Sequence, residues 1–374
     1  MNHIRLFVCG DIVNQNPCDG FIGEDLSNVI KESDYAVCNF EGPELSPGQS
    51  ALCPHQEPGT ANYLKSIGFD LMLLANNHIT ELGKEGVQHS ISCIKEVGAD
   101  YIGAGTSWNE AYKPLVKTIK DVNFGFINVC EAQVGQFLSP SQGYGYAWMG
   151  YDRLLMDVTE LSKKNKYVVV FVHSGLEHYS LPLPELRDLY HKICDAGASV
   201  VIGGHPHVPQ GWEYYNDNLI VYSLGNFYFP YKDNYYPNEN ISYSVRVDFI
   251  DGEKIKITPI HHKLASGKVN MIEDPRQCIN TDMLCRMLES NYENKATDMC
   301  VNAYKKLCSS LLSEATCGQS YDMSYFQQIK GALRYILFRK RLVEKTRVRR
   351  NALLLRLFEN ETYRWTIIRA LKNI

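Results

Sequence analysis

The chain has 374 residues, of which 45% are hydrophobic and 21% are charged, and its formal net charge at pH 7 is −4. This length is enough for one large core or two moderate domains, and the composition is that of an ordinary globular protein. No stretch approaches the roughly 18 consecutive apolar residues of a membrane span, and the first residues lack the pattern of a cleaved export signal. We therefore expect a cytoplasmic protein whose 12 cysteines are reduced thiols.

Up to about residue 260, short apolar runs alternate with amphipathic stretches. Runs rich in Val, Ile, Phe and Tyr predict strands at residues 4–9, 35–39, 71–75, 101–102, 115–118, 123–129, 167–172, 199–202 and 219–223. The stretches between them predict helices that include residues 85–97, 152–165 and 184–196. A hairpin is predicted around Asp251-Gly252, at residues 243–249 and 254–260. This alternation indicates an α/β layered fold with buried strands.

After about residue 275 the pattern becomes helical, with predicted helices at residues 282–291, 297–312 and 324–371. We place a domain boundary near residues 265–278, between a domain at 1–265 and a helical extension at 278–374. The end of the extension is strongly basic, since residues 329–374 contain 13 Lys or Arg and 3 Asp or Glu, a balance of +10. Such a split in charge between body and tail suggests that the tail has its own partner.

Acid, amide or imidazole side chains follow six of the predicted strands directly. These residues are Asp11, Glu41, Asn77 with His78, His173 with Glu177, His205 with His207, and Asn226. Sites in α/β sheets are built at the carboxyl ends of the strands. Carboxylate, carboxamide and imidazole groups together favour divalent ions such as manganese, iron or zinc, and a histidine that is not a ligand can protonate a leaving group. Each cluster alone also fits a turn or a core histidine, but their common position favours a metal site.

The ordered set resembles the calcineurin-like metallophosphoesterase superfamily and, more narrowly, the bacterial CapA family of capsule and poly-γ-glutamate synthesis. The resemblance spans about residues 4–260. It is carried by the blocks Asn39-Phe40-Glu41-Gly42-Pro43, Ala75-Asn76-Asn77-His78, His173-Ser174-Gly175-Leu176-Glu177, Gly204-His205-Pro206-His207-Val208-Pro209-Gln210 and Ser223-Leu224-Gly225-Asn226-Phe227. It implies a four-layer α/β/β/α sandwich of the metallophosphoesterase kind with a helical C-terminal extension.

The same resemblance implies roles for individual residues. The implied ligands of one or two divalent ions (Mn²⁺, Fe²⁺ or Zn²⁺) are Asp11, Glu41, Asn77, His173, His205 and His207. In that scheme Asp11 and His207 hold a first ion, Glu41 bridges, and the other three ligands hold a second ion. His78 is the implied general acid or a stabiliser of the developing charge, and Glu177 is the implied substrate-facing or supporting group of the catalytic site.

The chain departs from the pattern of the superfamily and the CapA family in its first three blocks. The superfamily has Asp-x-His in the first block, whereas this chain has Val13 at the position of that histidine. One ligand of the first ion is therefore missing, which leaves open a site with one metal or with two. Glu41 stands where many phosphoesterases have Asp, and Glu81 stands where CapA-like proteins usually have Asp.

Two hypotheses for the function remain open. In the first, the chain is a metal-dependent hydrolase of the phosphoesterase type that uses metal-activated water in capsule, exopolysaccharide or poly-γ-glutamate synthesis. Its substrate is then the surface polymer or a phosphoester. In the second, it is a non-catalytic assembly component of such a system, which Val13 and the basic tail favour and the pair Asn77-His78 disfavours.

The basic tail at residues 329–374 has four interpretations. It contacts an anionic membrane surface, which would place the protein peripherally at the inner membrane, or it docks a protein partner. Alternatively, it covers the acidic catalytic body of the same chain, or it is a solvated helix that caps the domain. Nucleic acid is not expected, because no recognised binding motif accompanies the charge. A loop crowded with Tyr228, Phe229, Tyr231, Tyr235 and Tyr236 is either a stacking rim for a sugar or a loop held by its own aromatic side chains.

Overall fold

A computed structural model describes residues 3–16, 20–230, 240–307, 311–312, 315 and 339–374. Parts of four predictions lie outside those residues. They are Tyr231, Tyr235 and Tyr236 of the aromatic loop, residues 308–310 of the helix predicted at 297–312, residues 324–338 of the helix predicted at 324–371, and residues 329–338 of the basic tail. The chain divides into two compact units. The first comprises Met1–Glu131 and Gly135–Ser290, and the second comprises Ala132–Val134 and Asn291–Ile374.

The first unit is built on two large β-sheets. The strands of the first sheet are β1 (His3–Ile12), β2 (Tyr35–Phe40), β3 (Leu71–Leu73), β4 (Asp100–Ile102), β13 (Asn226–Tyr228), β14 (Ile241–Ile250), β15 (Lys256–Ala265) and β16 (Lys268–Met271). Their order is β16-β15-β14-β1-β2-β3-β4, and β13 also pairs with β1. The strands β1 to β4 run parallel to one another, whereas β14 pairs antiparallel with β1, and β14 to β16 form the antiparallel half that includes the predicted hairpin.

The second sheet has the order β11-β12-β10-β9-β7-β6. Its strands are β6 (Leu115–Ile119), β7 (Val122–Cys130), β9 (Tyr167–His173), β10 (Val200–Gly204), β11 (Trp212–Tyr215) and β12 (Asn218–Val221). The strands β7, β9, β10 and β12 are parallel, so their carboxyl ends share one edge. A separate two-stranded ribbon pairs β5 (Ala104–Gly105) with β8 (Gly145–Tyr146).

The two sheets pack face to face because their strands alternate in the direction of their apolar side chains. In β1, Leu6 and Val8 lie in the core between the sheets, together with Phe126 and Phe171 of the second sheet. Phe7 of the same strand lies in the other core, between the first sheet and its helices. Each of these side chains is buried, and full burial contributes about 1.5–3 kcal/mol per large apolar side chain.

Helices cover the outer faces of both sheets. The helices are α1 (Glu24–Lys31), α2 (Thr60–Ile67), α3 (Gly83–Glu96), α4 (Trp108–Ala111), α5 (Leu154–Ser162), α6 (Pro184–Asp195) and α7 (Thr281–Glu289), with a 3-10 turn at Pro275–Gln277. Buried side chains of α1, α2 and α3 join the core on the first sheet, whereas α5 packs on β7 and β9 and α6 packs on β10. The predicted four-layer α/β/β/α sandwich is therefore confirmed.

The second unit is helical, as the sequence predicts for the C-terminal extension. Its described helices are α8 (Tyr292–Leu307), α9 (Arg339–Glu359) and α10 (Glu361–Leu371), and α10 packs on α8. The single helix predicted at residues 324–371 is interrupted at Asn360, whose side chain accepts a hydrogen bond from the Tyr363 amide and caps α10. Among the described residues, none of the helices is long and apolar enough to cross a membrane.

Candidate metal centre

The structure brings the predicted site residues together at the carboxyl ends of the parallel strands. They are Asp11 in β1, Glu41 after β2, Asn77 and His78 after β3, His173 at the end of β9, and His205 and His207 after β10. The first four come from one sheet and the last three from the other. The edge of the sandwich thus places acids and amides of the first sheet opposite imidazoles of the second.

The first group of candidate ligands is Asp11, Glu41 and His207. Each offers a ligand atom, these atoms lie within 4.8 Å of one another, and all three residues are buried. Asp11 Oδ2 lies 3.4 Å from His207 Nδ1. Asp11 Oδ2 and both carboxylate oxygens of Glu41 have no hydrogen-bond partner among the described residues. Buried carboxylate oxygens without a partner carry a large desolvation penalty, which a bound cation offsets.

The second group is Asn77, His173 and His205. His173 Nε2 lies 3.0 Å from Asn77 Oδ1 and 3.2 Å from His205 Nδ1, so three ligand atoms converge on one point. Glu41 Oε1 lies 3.9 Å from the same His173 Nε2. Glu41 is therefore within reach of both groups, which is the position that a bridging carboxylate requires.

These donor sets fit divalent metal ions. Carboxylate and amide oxygens combined with imidazole nitrogens suit manganese, iron and zinc, and exclude a site specialised for soft thiolate ligands. The first group would supply Asp11, Glu41 and His207, and the second group would add the amide of Asn77 with His173 and His205. The fit rests on the unpartnered oxygens of Glu41 and Asp11, because those atoms have no hydrogen bond that a metal would have to break.

The ionisation of the first group is set by burial and by close charge pairing. Burial opposes ionisation of both Asp11 and His207, but the close approach of Asp11 Oδ2 to His207 Nδ1 outweighs it, lowering the pKa of Asp11 and raising that of His207. Burial, followed by the Asp11 charge, raises the pKa of Glu41 to about 8.

In the second group, burial lowers the pKa of His205 to about 4 and that of His173 well below its ordinary value. Both imidazoles are therefore neutral at pH 7, the state that metal ligation requires.

His78 differs from the other histidines because it is partly exposed. Its Nδ1 lies 3.0 Å from Glu81 Oε1, and its Nε2 lies 3.2 Å from Asn77 Nδ2 and 3.7 Å from Glu41 Oε1. Burial lowers the pKa of His78, but the hydrogen bond with Glu81 outweighs it and the net shift is upward. A raised pKa and an Nε2 atom that faces the centre are the properties of a proton donor. Glu81 therefore orients the ring of this histidine.

The histidines that follow β10 are held in an uncommon backbone conformation. His205 has φ +94° and His207 has φ +60°, both in the left-handed region that residues other than glycine rarely adopt. Conformations of this kind cost roughly 1–3 kcal/mol each and persist where surrounding contacts fix them. With this backbone conformation, the imidazoles of the two histidines that flank Pro206 both point toward the site. This conformation explains how two histidines one residue apart reach the same centre.

Glu177 lies beside His205. Its Oε1 lies 3.8 Å from His205 Nε2, and its side chain is partly exposed. Glu131 approaches the same nitrogen, with Oε1 at 4.0 Å, but it is fully buried. Its second oxygen accepts hydrogen bonds from Ser174 Oγ at 2.8 Å and Gly175 N at 3.1 Å. Glu131 thus supports the loop that follows β9.

Sequence reasoning assigned no role to two of the residues that line this centre, namely Asn39 and Glu131. Asn39 Nδ2 donates a hydrogen bond to Asp11 Oδ1 at 2.7 Å and lies 3.2 Å from His173 Nδ1. Glu131 follows β7 directly, so the rule that found the other acids applies to it too. Asn39 belongs to a strand, where an internal amide gives no signal of its function.

The matching family model is that of the bacterial capsule synthesis protein PGA_cap, and it matches residues 5–231. The "Capsule biosynthesis protein CapA" of Bacillus anthracis is 31% identical over 230 residues, which cover 59% of this chain and 56% of that protein. The "PGA biosynthesis protein CapA" of Bacillus subtilis (strain 168) is 28% identical over 207 residues, 54% of each chain. The chain thus spans about half the length of the curated relatives it matches.

Among solved structures, a hypothetical protein from Thermus thermophilus is similar with a TM-score of 0.47 and 17% identity. The alignment covers 70% of this chain and 100% of that one. A 5'-nucleotidase precursor from the same organism is similar with a TM-score of 0.44 and 12% identity, over 83% of this chain and 60% of that one.

Proposed function

The chain belongs to the bacterial capsule synthesis protein PGA_cap family, and from that premise we propose that it is a divalent-metal-dependent hydrolase of the phosphoesterase type. Its role would lie in the synthesis or processing of a capsule, an exopolysaccharide or poly-γ-glutamate. The family membership supports the biological setting, and the chemistry of the candidate metal centre supports the reaction type.

The observation that carries the proposal is the state of the Glu41 carboxylate. It is fully buried, neither of its oxygens has a hydrogen-bond partner among the described residues, and it lies between two groups of ligands. A structural role alone leaves the cost of burying this carboxylate unexplained. Divalent ions at this position would neutralise the carboxylates, activate a water and stabilise negative charge on the oxygens of a reacting phosphoester.

The chain's own residues would hold and move protons around that centre. His78 would donate the proton on Nε2 to the leaving oxygen, while Glu81 holds Nδ1 and so fixes the ring. Glu177, partly exposed beside His205, would face the substrate and orient it. The buried positions of His173 and His205 would exclude water from their side of the site.

The rival function, a non-catalytic assembly component, is favoured by Val13 and by the basic tail. Val13 is fully buried and its side chain cannot bind a metal ion, so one ligand of the superfamily pattern is absent. The geometry of His78 argues against that function, since an assembly protein has no need of an oriented proton donor beside buried carboxylates. We therefore place hydrolysis first.

The proposal is tested by metal analysis and hydrolysis together. Purified wild type should contain manganese, iron or zinc and should cleave bis-p-nitrophenyl phosphate or p-nitrophenyl phosphate with added Mn²⁺. His205→Ala should lose metal and activity. His191→Ala, a matched histidine that faces Glu213 at 2.8 Å, should keep both. Cleavage of γ-glutamyl-p-nitroanilide instead would reassign the substrate to an amide. A wild type that is free of metal and inactive with every ion contradicts the proposal.

The basic tail would place the protein peripherally at an anionic membrane surface. On α10, Ile368 is 50% exposed and Leu371 is 57% exposed, and they lie three residues apart on one face with Lys372 beside them. The opposite face, which includes Tyr363 and Ala370, is buried. Exposed apolar side chains on a helix within a segment of charge +10 are what an anionic bilayer attracts.

A further inference from the structure

Asn226 lies directly beside Asp11 because two glycines allow close contact between their strands. β13 pairs with β1 in parallel, and Asn226 is the register partner of Asp11. A Cβ atom on Gly10 would lie 1.8 Å from the carbonyl oxygen of Gly225, so only glycine fits there. Gly225 itself has φ +71°, which also favours glycine. The Ser-Leu-Gly-Asn-Phe block thus places its asparagine at the candidate metal centre.

The same block also fixes the loop that carries His207. Ser223 Oγ donates a hydrogen bond to the Val208 carbonyl at 2.9 Å and accepts one from Gly225 N at 3.1 Å. Asn226 Oδ1 lies 2.9 Å from His207 Nδ1, and Asn226 is 5% exposed. Asn226 therefore lies between β1 and the loop that carries His207, and its Oδ1 is directed at the His207 imidazole.

Three candidate ligand atoms consequently converge in the first group. His207 Nδ1 lies 2.9 Å from Asn226 Oδ1 and 3.4 Å from Asp11 Oδ2. The second group has the same make-up, because an amide oxygen and an imidazole nitrogen also lie 3.0 Å apart there, in Asn77 and His173. Imidazole nitrogen and carboxamide oxygen are both metal ligands. With Asn226 included, each of the two groups contains an amide oxygen beside an imidazole nitrogen, and Glu41 lies within reach of both groups.

Val13 does not serve the first group in any way. Its side chain is fully buried, and its backbone amide donates a hydrogen bond to the Tyr228 carbonyl at 2.7 Å. That bond joins β1 to the far end of β13, the strand that begins with Asn226. β13, which accepts the hydrogen bond from Val13, is thus also the strand that places the Asn226 amide beside Asp11.

We propose that the Asn226 side-chain oxygen is a metal ligand, which takes the place of the histidine that is absent at position 13 and completes the first metal site. Asp11, Glu41, His207 and Asn226 then hold one ion, and Glu41, Asn77, His173 and His205 hold the other. This inference rests on the proposed function, since it requires that the centre bind metal. It assigns a role to a block that the proposed mechanism does not otherwise use.

A supporting role is the competing explanation. In it, Asn226 only accepts a hydrogen bond from His207 Nδ1 and thereby orients the ring. Loss of such an outer partner typically lowers metal affinity about 10–100-fold without removing a ligand. Loss of a ligand lowers the metal affinity further. It also changes the coordination geometry of the ion, which the visible spectrum of bound Co²⁺ reports. The two roles therefore differ in the size of the affinity loss and in the spectrum of the bound metal.

The experiment is titration of chelator-stripped protein with Mn²⁺ by calorimetry, elemental analysis after desalting, and the visible spectrum of the Co²⁺-loaded protein. Wild type should bind two ions per chain. Asn226→Ala should bind the ion at the first site more than about 100-fold more weakly, beyond the effect of an outer partner. It should retain one ion after desalting, with an altered Co²⁺ spectrum. Asn226→Asp, which keeps an oxygen at this position, should retain both ions.

The control is Asn165→Ala, which removes a buried amide just before β9, at the opposite end of the strand from His173. It should bind two ions, and circular dichroism should show all variants folded. Asn226→Ala contradicts this inference if it retains every ion that wild type binds, with an Mn²⁺ affinity within about 100-fold of the wild-type value and an unchanged Co²⁺ spectrum. In that case Asn226 is not a ligand, and only this inference fails. The proposed function fails as well if wild type itself binds no ion.

Discussion

Oε1 of Glu41 lies 3.9 Å from Nε2 of His173, although the two residues come from different sheets. Glu41 follows β2 of the first sheet and His173 ends β9 of the second. Their approach depends on the core that holds the two sheets together. The candidate metal centre is consequently a property of the whole sandwich, and metal binding should be sensitive to the packing of both sheets.

Replacement of His78 tests the proposed proton donor. His78→Asn should lower kcat on a phosphodiester about 10²–10⁴-fold, the usual contribution of a positioned acid or base, while metal content stays at the wild-type level. The physical reason is that His78 Nε2 faces the centre without belonging to either converging group of ligands. Steady-state kinetics and elemental analysis on the same preparation check both parts. Unchanged kcat would remove His78 from the mechanism, and loss of metal would make it a ligand.

Gly10→Ala should disrupt the centre without touching any candidate ligand. The added Cβ would lie 1.8 Å from the Gly225 carbonyl oxygen, so β13 must move away from β1. We expect destabilisation of about 1–3 kcal/mol or more in urea unfolding and weaker Mn²⁺ binding, because Asn226 moves with β13. Gly143→Ala is the matched control, since its Cβ meets no atom within 4 Å. Equal stability and equal metal affinity of the two variants would show that this strand contact does not matter.

His262 should make the protein sensitive to mild acid. Burial, with a smaller effect of neighbouring His261, lowers the pKa of His262 from its ordinary value of 6.5 to about 3. The unfolded chain therefore takes up a proton first as the pH falls, and stability decreases below pH 6.5 by about 1.4 kcal/mol per pH unit until about pH 3. In His262→Leu, this part of the loss should be absent.

The measurement for His262 is urea unfolding at pH 6.5 and pH 5.0. Wild type should lose roughly 2 kcal/mol more stability between these values than His262→Leu. The T-shaped contact with Phe227, at 4.9 Å between ring centroids, lies in the same buried environment, and leucine should keep an apolar contact there. Identical losses in the two proteins would show that His262 takes up no proton on unfolding in this range.

The proposed membrane contact is tested with vesicles. Wild type should sediment with vesicles that contain phosphatidylglycerol and not with pure phosphatidylcholine, and added salt should weaken the binding. Ile368→Glu with Leu371→Glu should reduce binding about tenfold or more, because two exposed apolar side chains become anionic. Leu52→Glu, which changes a fully exposed leucine in the first unit, is the control. Equal binding by both variants would exclude α10 as the contact.

Much of the candidate site could be predicted from sequence because its residues directly follow apolar strands. Asp11, His173 and His205 each follow an apolar run that predicts a strand, so the pattern of strand followed by polar residue places them at one edge. Asn226 was predicted only as a member of a block, and its contact with His207 depends on the pairing of β13 with β1. That pairing joins residues 215 positions apart in the chain, which no local pattern reports.

Some of the helices also depend on contacts that the local sequence does not report. The amphipathic stretch that became α3 is 14 residues long and was predicted, whereas α1 and α2 have 8 residues each and were not. Helices this short are only marginally stable on their own and form because the first sheet buries one face of each. The interruption at Asn360 was missed because asparagine is tolerated within a helix, while its capping bond to Tyr363 depends on the backbone direction.

Metal binding by the Glu41→Gln variant tests the central claim most directly. Glutamine keeps the size of the side chain but removes the charge that the two ligand groups share. Mn²⁺ titrated into chelator-stripped wild type should bind and raise the Tm, whereas Glu41→Gln should bind at least about 100-fold more weakly, with little change in Tm. Equal Mn²⁺ affinity in the two proteins, or no binding by the wild type, would contradict a metal centre built around this carboxylate.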